Sequence, residues 1–233
     1  MGHVAIVVFT VAVTILVYAG SRRAFLRHGW AVLSPVFAST VLVIAALWLT
    51  GLRFEDYQPG QRLMTMLLGP AVVALAVPLH RQRHVWLPRW RAVVVGVAVG
   101  CLVSLVSVVV LARATGFTWD IVASLAPKSV TAPVAVEITR VVGGDPALTA
   151  AFVIATGMLG SMFGPRILSR LRVDDRVARG LALGTTAHGQ GAAAMLQEGE
   201  LQGALAGAAL ALSAVLTSVV APFLVPWLVR VGG

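Results

Sequence analysis

Lys128 lies in Ala123-Ser124-Leu125-Ala126-Pro127-Lys128-Ser129-Val130-Thr131-Ala132-Pro133, an apolar pattern interrupted at its middle, with Glu137 and Arg140 shortly after. A charge inside an apolar segment is costly, so a functional role is its default explanation. Pro133 suits the first turn of a returning half-helix, and Thr131 is placed to cap it. The N–H groups and positive dipole end of that half-helix would face the break, beside the Lys128 ammonium and the Ser129 hydroxyl. Together they form a site for a small carboxylate. The structural alternative is that Lys128 only neutralises Glu137. Glu137 itself is either a proton or sodium acceptor or a structural partner of Lys128 or Arg140.

A second polar interruption is Gly184-Thr185-Thr186-Ala187-His188-Gly189-Gln190-Gly191. His188 has room there to act as a hydrogen-bond donor or proton carrier, or it is simply a satisfied core residue. Thr185, Thr186 and Gln190 offer neutral polar contacts. One histidine without an acidic or cysteine neighbour at ligand spacing makes no metal site. Cys101 is the only cysteine, which excludes an internal disulfide. No Ser-His-Asp order, phosphate loop or zinc-protease helix is present. The expectation is therefore a non-enzyme without cofactor or metal.

The elements that hold these breaks follow from composition. Of 233 residues, 58% are hydrophobic and 12% charged, against about 25% charged in a soluble domain. Several long apolar runs predict an all-α polytopic membrane protein. The net charge of +9 comes from arginines clustered between apolar segments, a membrane-topology pattern and not a nucleic-acid face.

Taken in order, the pattern predicts helix 1 over 4–19, a basic loop with Arg22, Arg23 and Arg27, helix 2 over 30–52 and a neutral loop over 53–62. Helix 3 follows over 63–79, a basic loop over 81–91, and helix 4 over 92–112. Basic loops belong in the cytoplasm, which places the N-terminus outside. No basic residue precedes the first run, which predicts a retained helix rather than a cleaved signal.

The loop over 166–179 is also basic, yet two apolar segments, 117–142 and 148–165, separate it from the outer end of helix 4. Charge agrees only if 117–142 dips in and returns as a hairpin. Its arms of about 7–10 residues span roughly 10–15 Å, half of a ~30 Å hydrocarbon core. Residues 179–198 repeat the shape, and helix 8 follows over 201–229. About six full transmembrane helices plus two broken, re-entrant hairpins result, arranged as an inverted repeat whose breaks meet near the midplane. Residues 1–112 form a four-helix scaffold part and 113–233 a broken-helix transport part. Pairs such as Gly96/Gly100 and Gly180/Gly184 serve close helix packing.

Pro127-Lys128-Ser129-Val130-Thr131-Ala132-Pro133, Glu137, Gly143-Gly144, Leu148-Thr149-Ala150, Thr156-Gly157, Gly164-Pro165, and Ala178-Arg179-Gly180-Leu181-Ala182-Leu183-Gly184-Thr185 with His188 resemble the LrgB/CidB family. Gly69-Pro70-Ala71-Val72-Val73-Ala74-Leu75-Ala76-Val77-Pro78-Leu79 resembles that family's earlier signature. The family also contains the C-terminal half of the plastid glycolate/glycerate translocator. The resemblance implies a multi-pass protein of the bacterial inner membrane that transports small monocarboxylates such as glycolate, glycerate, lactate or pyruvate. It also implies a smaller LrgA/CidA-type membrane partner. The alternative is a holin- or antiholin-like component regulating murein hydrolase activity and lysis. A third option is a structural partner supporting the LrgA-type protein. Oligomeric state is open, a homo-oligomer included. Where the family reads His-Ala-Ile-Gly-Thr-Ala-Arg-Ala, this chain has His188-Gly189-Gln190-Gly191-Ala192-Ala193-Ala194-Met195. Ala192 and Ala194 thus replace a threonine and a basic residue.

Overall fold

The computed structural model describes residues 3–28, 30, 33–67, 70, 73–74 and 76–231. Among them every regular element is helical. Four helical stretches are long and apolar enough to cross a membrane: Ile6–His28, Arg83–Ala114, Pro146–Arg170 and Glu200–Leu228. The chain divides into two compact units, residues 1–74 and 75–233.

In the first unit α1 (His3–His28) packs on α2 (Pro35–Thr50) and α3 (Phe54–Met66). The sequence predicts a basic loop after residue 19, but α1 continues through Arg22, Arg23 and Arg27. Arginine is a good helix former, and no proline intervenes. Helix 2 begins at Pro35 and not at residue 30, because Ser34 before the proline is held extended (φ −44°, ψ 127°). The segment expected as a neutral loop forms α3. Its start is fixed by the Asp56 carboxylate, which accepts the Arg53 N–H at 2.9 Å, with Glu55 beside it on the positive end of the helix dipole. Thr14 and Tyr57 hydroxyls meet at 3.1 Å between α1 and α3. The helix expected over 63–79 falls partly outside the described residues, as does the signature beginning at Gly69. Its first residues belong to α3.

The second unit opens with α4 (Ala76–Arg81), α5 (Arg83–Trp86) and a short 3-10 turn (Leu87–Arg89), helical where a basic loop was expected. Then come α6 (Trp90–Ala114), α7 (Trp119–Leu125), α8 (Ala132–Val142), α9 (Pro146–Arg170), α10 (Arg176–Glu198) and α11 (Glu200–Val231). At 1.5 Å per residue α6 and α9 are each about 37 Å long, enough to span a bilayer core of ~30 Å.

Helices α7 and α8 form a closed hairpin. Gly143, just past the end of α8, lies against the Trp119 indole at the start of α7. The Asp145 N–H donates to the Ser124 hydroxyl at 2.8 Å. Ser124, Thr139 and Thr149, all fully buried, tie this base to the first turn of α9. The Thr149 hydroxyl reaches the Ser124 carbonyl at 3.1 Å and the Thr139 hydroxyl at 2.8 Å.

Helix α10 is also a hairpin. Its backbone leaves helical geometry at Ala187 (φ −124°, ψ 19°) and His188 (φ 40°, ψ −134°). Arg179 on the first arm grips Glu198 on the second with two hydrogen bonds of 2.7 and 2.6 Å. In a straight helix residues that far apart in sequence would lie roughly 28 Å from each other, so the chain reverses at the break. The first arm packs tightly on α11: Cβ atoms at Gly180 and Gly184 would collide with the backbone of Gln202 and Ala206. These glycines serve packing, as their spacing predicts.

Arg89, before α6, is paired with Asp175, after α9, at 2.9 Å. The start of α6 and the end of α9 therefore lie side by side, and the base of the α7–α8 hairpin lies between their other ends in the chain. A hydrophobic core around Leu105, Val122, Ala126, Val130, Val153 and Val225 joins the α7–α8 hairpin to α6, α9 and α11.

Candidate functional site

The first break runs from Ala126 to Thr131 between α7 and α8, with turns closed by Lys128 N–H to Leu125 O (3.1 Å) and Val130 N–H to Pro127 O (3.2 Å). Pro127 and Val130 are buried, and Lys128 and Ser129 are half-buried. The Lys128 ammonium donates to the Ser129 hydroxyl at 3.3 Å. That hydroxyl in turn shares a 2.7 Å hydrogen bond with Ser104 of α6. Among the described residues the ion pairs are Arg89–Asp175, Arg140–Glu137 and Arg179–Glu198, so Lys128 has no carboxylate partner there.

Thr131 takes the N-cap position of α8 with extended backbone, but its hydroxyl makes no capping hydrogen bond. The first N–H groups of α8 are thus left without that side-chain acceptor. Glu137 lies on the outer face of α8, its side chain 69% exposed and 3.5 Å from Arg140. Of the structural partners open to it from the sequence, the geometry selects Arg140 over Lys128.

At the second break His188 is buried and its Nε2 lies 2.9 Å from the Val153 carbonyl. A carbonyl only accepts, so Nε2 carries the proton. The positive φ of His188 is uncommon for a residue with a side chain and is held by this bond and the packing around it. Gly157, one turn along α9 from Val153, makes room: a Cβ there would be 2.5 Å from His188 Nε2 and 2.8 Å from Gln190 Oε1. Thr185 and Thr186 donate their hydroxyls to Leu181 O and Ala182 O, each at 2.7 Å. Gln190 Oε1 is buried and accepts no hydrogen bond from the described residues.

Two helices bring the breaks together. On α6, Ser104 holds Ser129, and Gly100, one turn away, packs against the Thr185 methyl, 3.1 Å from where its Cβ would stand. On α9, Val153 joins the apolar cluster of the first break with its side chain and holds His188 with its carbonyl. Thr185 and Thr186 also line a groove of about 590 Å³ between α6 and α10, walled by Gly96, Gly100, Ala178 and Ala182. Lys128, His188 and Gln190 do not line that groove. The predicted residues thus form neighbouring clusters, with Glu137 outside them.

Sequence patterns alone missed Ser104, whose only signal is a polar residue in an apolar helix. They also missed the Val153 carbonyl, for which no side-chain signal exists. Arg179 counted there only as part of a basic loop. It is instead a buried clasp, whose guanidinium also donates to Val173 O, Pro165 O and the Ser169 hydroxyl at 2.9, 3.1 and 3.2 Å.

The LrgB-like family model matches residues 14–227. The chain belongs to the LrgB-like family. It is 35% identical over 201 residues to the uncharacterized protein YxaC of Bacillus subtilis, covering 86% of this chain and 87% of that one. It is 34% identical over 190 residues to the uncharacterized protein YwbG of the same organism, covering 82% and 84%. No solved structure matches it. Both breaks of this LrgB-like protein and both helices that join them fall inside the matched region.

Proposed function

We propose that the protein is the LrgB-type component of a holin-like system in the bacterial inner membrane. It acts with a smaller LrgA-type membrane protein to regulate murein hydrolase activity and lysis. The observation that carries this reading is the family match over nearly the whole chain. The test is expression in a bacterium lacking its own LrgA/LrgB-type pair, with and without an LrgA-type partner. Autolysis and extracellular murein hydrolase activity should change only when both proteins are present. Unchanged autolysis in every combination overturns the proposal.

One observation favours a second, more specific reading in which this component carries small monocarboxylates of the glycolate, glycerate, lactate or pyruvate type. A half-buried ammonium without a carboxylate partner lies beside the N-terminus of α8, and α6 and α9 bring the second break next to it. A non-selective pore has no need of two polar broken elements. In this reading Lys128, Ser129 and Thr131 hold the carboxylate, and Thr185, Thr186, His188 and Gln190 complete the site. His188 or Glu137 couples transport to a proton or sodium ion, and no enzymatic step is involved. Uptake of labelled lactate and glycolate into proteoliposomes should saturate and be lost in Lys128→Ala. Dye leakage indifferent to that substitution rejects the carrier.

The topology that goes with it is an inverted repeat with about six spans, two re-entrant hairpins and the N-terminus outside. The Arg89–Asp175 pair supports it by joining two basic segments, whose charge argues for the cytoplasmic face. Cysteines at positions 145 and 174 should then be labelled from opposite sides of the membrane; labelling from one side rules this topology out.

A further inference from the structure

We infer that the second break is a hydroxyl-accepting subsite, so that the ligand held between the two breaks is a small hydroxy acid rather than its oxo counterpart. This rests on the carboxylate-binding reading above and adds to it what the far end of the ligand must be.

The two breaks present opposite hydrogen-bonding character. The first offers donors. Lys128 has three N–H bonds and uses one on Ser129, and Thr131 leaves the first N–H groups of α8 without a side-chain cap. At the second break the donors are already committed to backbone carbonyls: Thr185 to Leu181, Thr186 to Ala182 and His188 to Val153. What remains open there is an acceptor, Gln190 Oε1, buried and unmatched. It is held beside His188 against Gly157, one turn from Val153, whose side chain belongs to the first break's cluster.

A buried acceptor without a donor is unfavourable, and a ligand hydroxyl relieves it. An oxo group in the same place sets two acceptors against each other, and a methylene leaves the carbonyl unmatched. A molecule with a carboxylate at one end and a hydroxyl at the other satisfies both breaks. Gln190 is then a specificity-determining residue, and it stands in a stretch where this chain departs from its family's usual sequence.

The experiment is calorimetric titration of the full-length protein in nanodiscs with lactate, pyruvate and propionate. These three acids share a carbon skeleton and differ at the second carbon. Lactate should bind about 10- to 100-fold more tightly than either of the others, the range expected for one buried acceptor left unmatched. Gln190→Met keeps the chain length and removes the acceptor, and should bring lactate to the level of propionate. Equal binding of the three acids to the wild type, lost in Lys128→Ala, overturns this inference and leaves the carboxylate site standing. So does a lactate preference that survives Gln190→Met. No binding of any of the three overturns both.

Discussion

The two hairpins solve the same problem with their charges at opposite ends. The α7–α8 hairpin has its cation, Lys128, at the tip, and a base closed by the neutral hydroxyls of Ser124, Thr139 and Thr149. The α10 hairpin has a neutral tip of Thr185, Thr186, His188 and Gln190, and a base closed by the Arg179–Glu198 ion pair. Where both a charge and its counter-charge are present the pair is satisfied within the protein and serves architecture. Where the charge stands without a carboxylate, at the first tip, it is available to a ligand. The contrast separates holding residues from binding residues without reference to family.

The largest effect should come from the ionic base. The Arg179 side chain is only 10% exposed and that of Glu198 25%. The guanidinium bonds Pro165, Ser169 and Val173 as well as Glu198. Arg179→Met leaves Glu198 with an uncompensated charge at the hairpin base and should cost about 3–5 kcal/mol, read from the unfolding midpoint of detergent-purified protein. Arg179→Met combined with Glu198→Leu should cost less than Arg179→Met alone, because the stranded charge is gone. A double variant less stable than the single would mean that the pair itself, and not the avoidance of a lone charge, holds the hairpin shut.

The neutral base should be weaker at each contact. Thr149→Val removes the hydroxyl that meets Ser124 O and Thr139. The expected cost is about 1 kcal/mol, in keeping with hydrogen bonds between membrane helices. A double-mutant cycle with Thr139→Val should give a coupling of the same order. If Thr149→Val matches the loss in Arg179→Met, the two bases are not built on different physics and the contrast between them fails.

Much of the fold's class was legible in the sequence, and its contacts were not. Apolar runs and arginine clusters identify a polytopic helical protein, and two polar interruptions mark the breaks. Lys128 and His188 are conspicuous because their surroundings are apolar. The partners of those residues are not conspicuous. Ser104 is one serine in a long apolar helix, Val153 contributes a backbone carbonyl that every residue has, and Glu198 lies in a stretch that reads as a surface. Partner choice is fixed by how α6 and α9 cross the hairpins, which local pattern does not encode. Helix limits were misjudged for a related reason. Arg22, Arg23 and Arg27 signal the edge of the apolar run, but helix propensity carries α1 through them to His28.

The smallest effect belongs to Asp175, the exposed edge of the ionic base. It caps α10 by accepting the Ala178 N–H at 2.9 Å and pairs with Arg89. The Ala178 N–H first, and Arg89 beside it, hold its carboxyl below the ordinary carboxylate range against an opposing desolvation. A carboxyl whose folded pKa is depressed stabilises the fold above its unfolded pKa, near 4, and loses that contribution as pH falls through the lower folded value. The stability difference between wild type and Asp175→Asn should therefore be constant from about pH 5 to 8 and shrink only below about pH 4. Its plateau should stay under about 1 kcal/mol, since the pair is half exposed and asparagine is nearly as good a cap. Ionic closure at this edge would then be a matter of register between α6 and α10, with Arg179–Glu198 alone providing the strength. A plateau as large as the loss in Arg179→Met would instead extend the strong ionic base across the whole end of the hairpin.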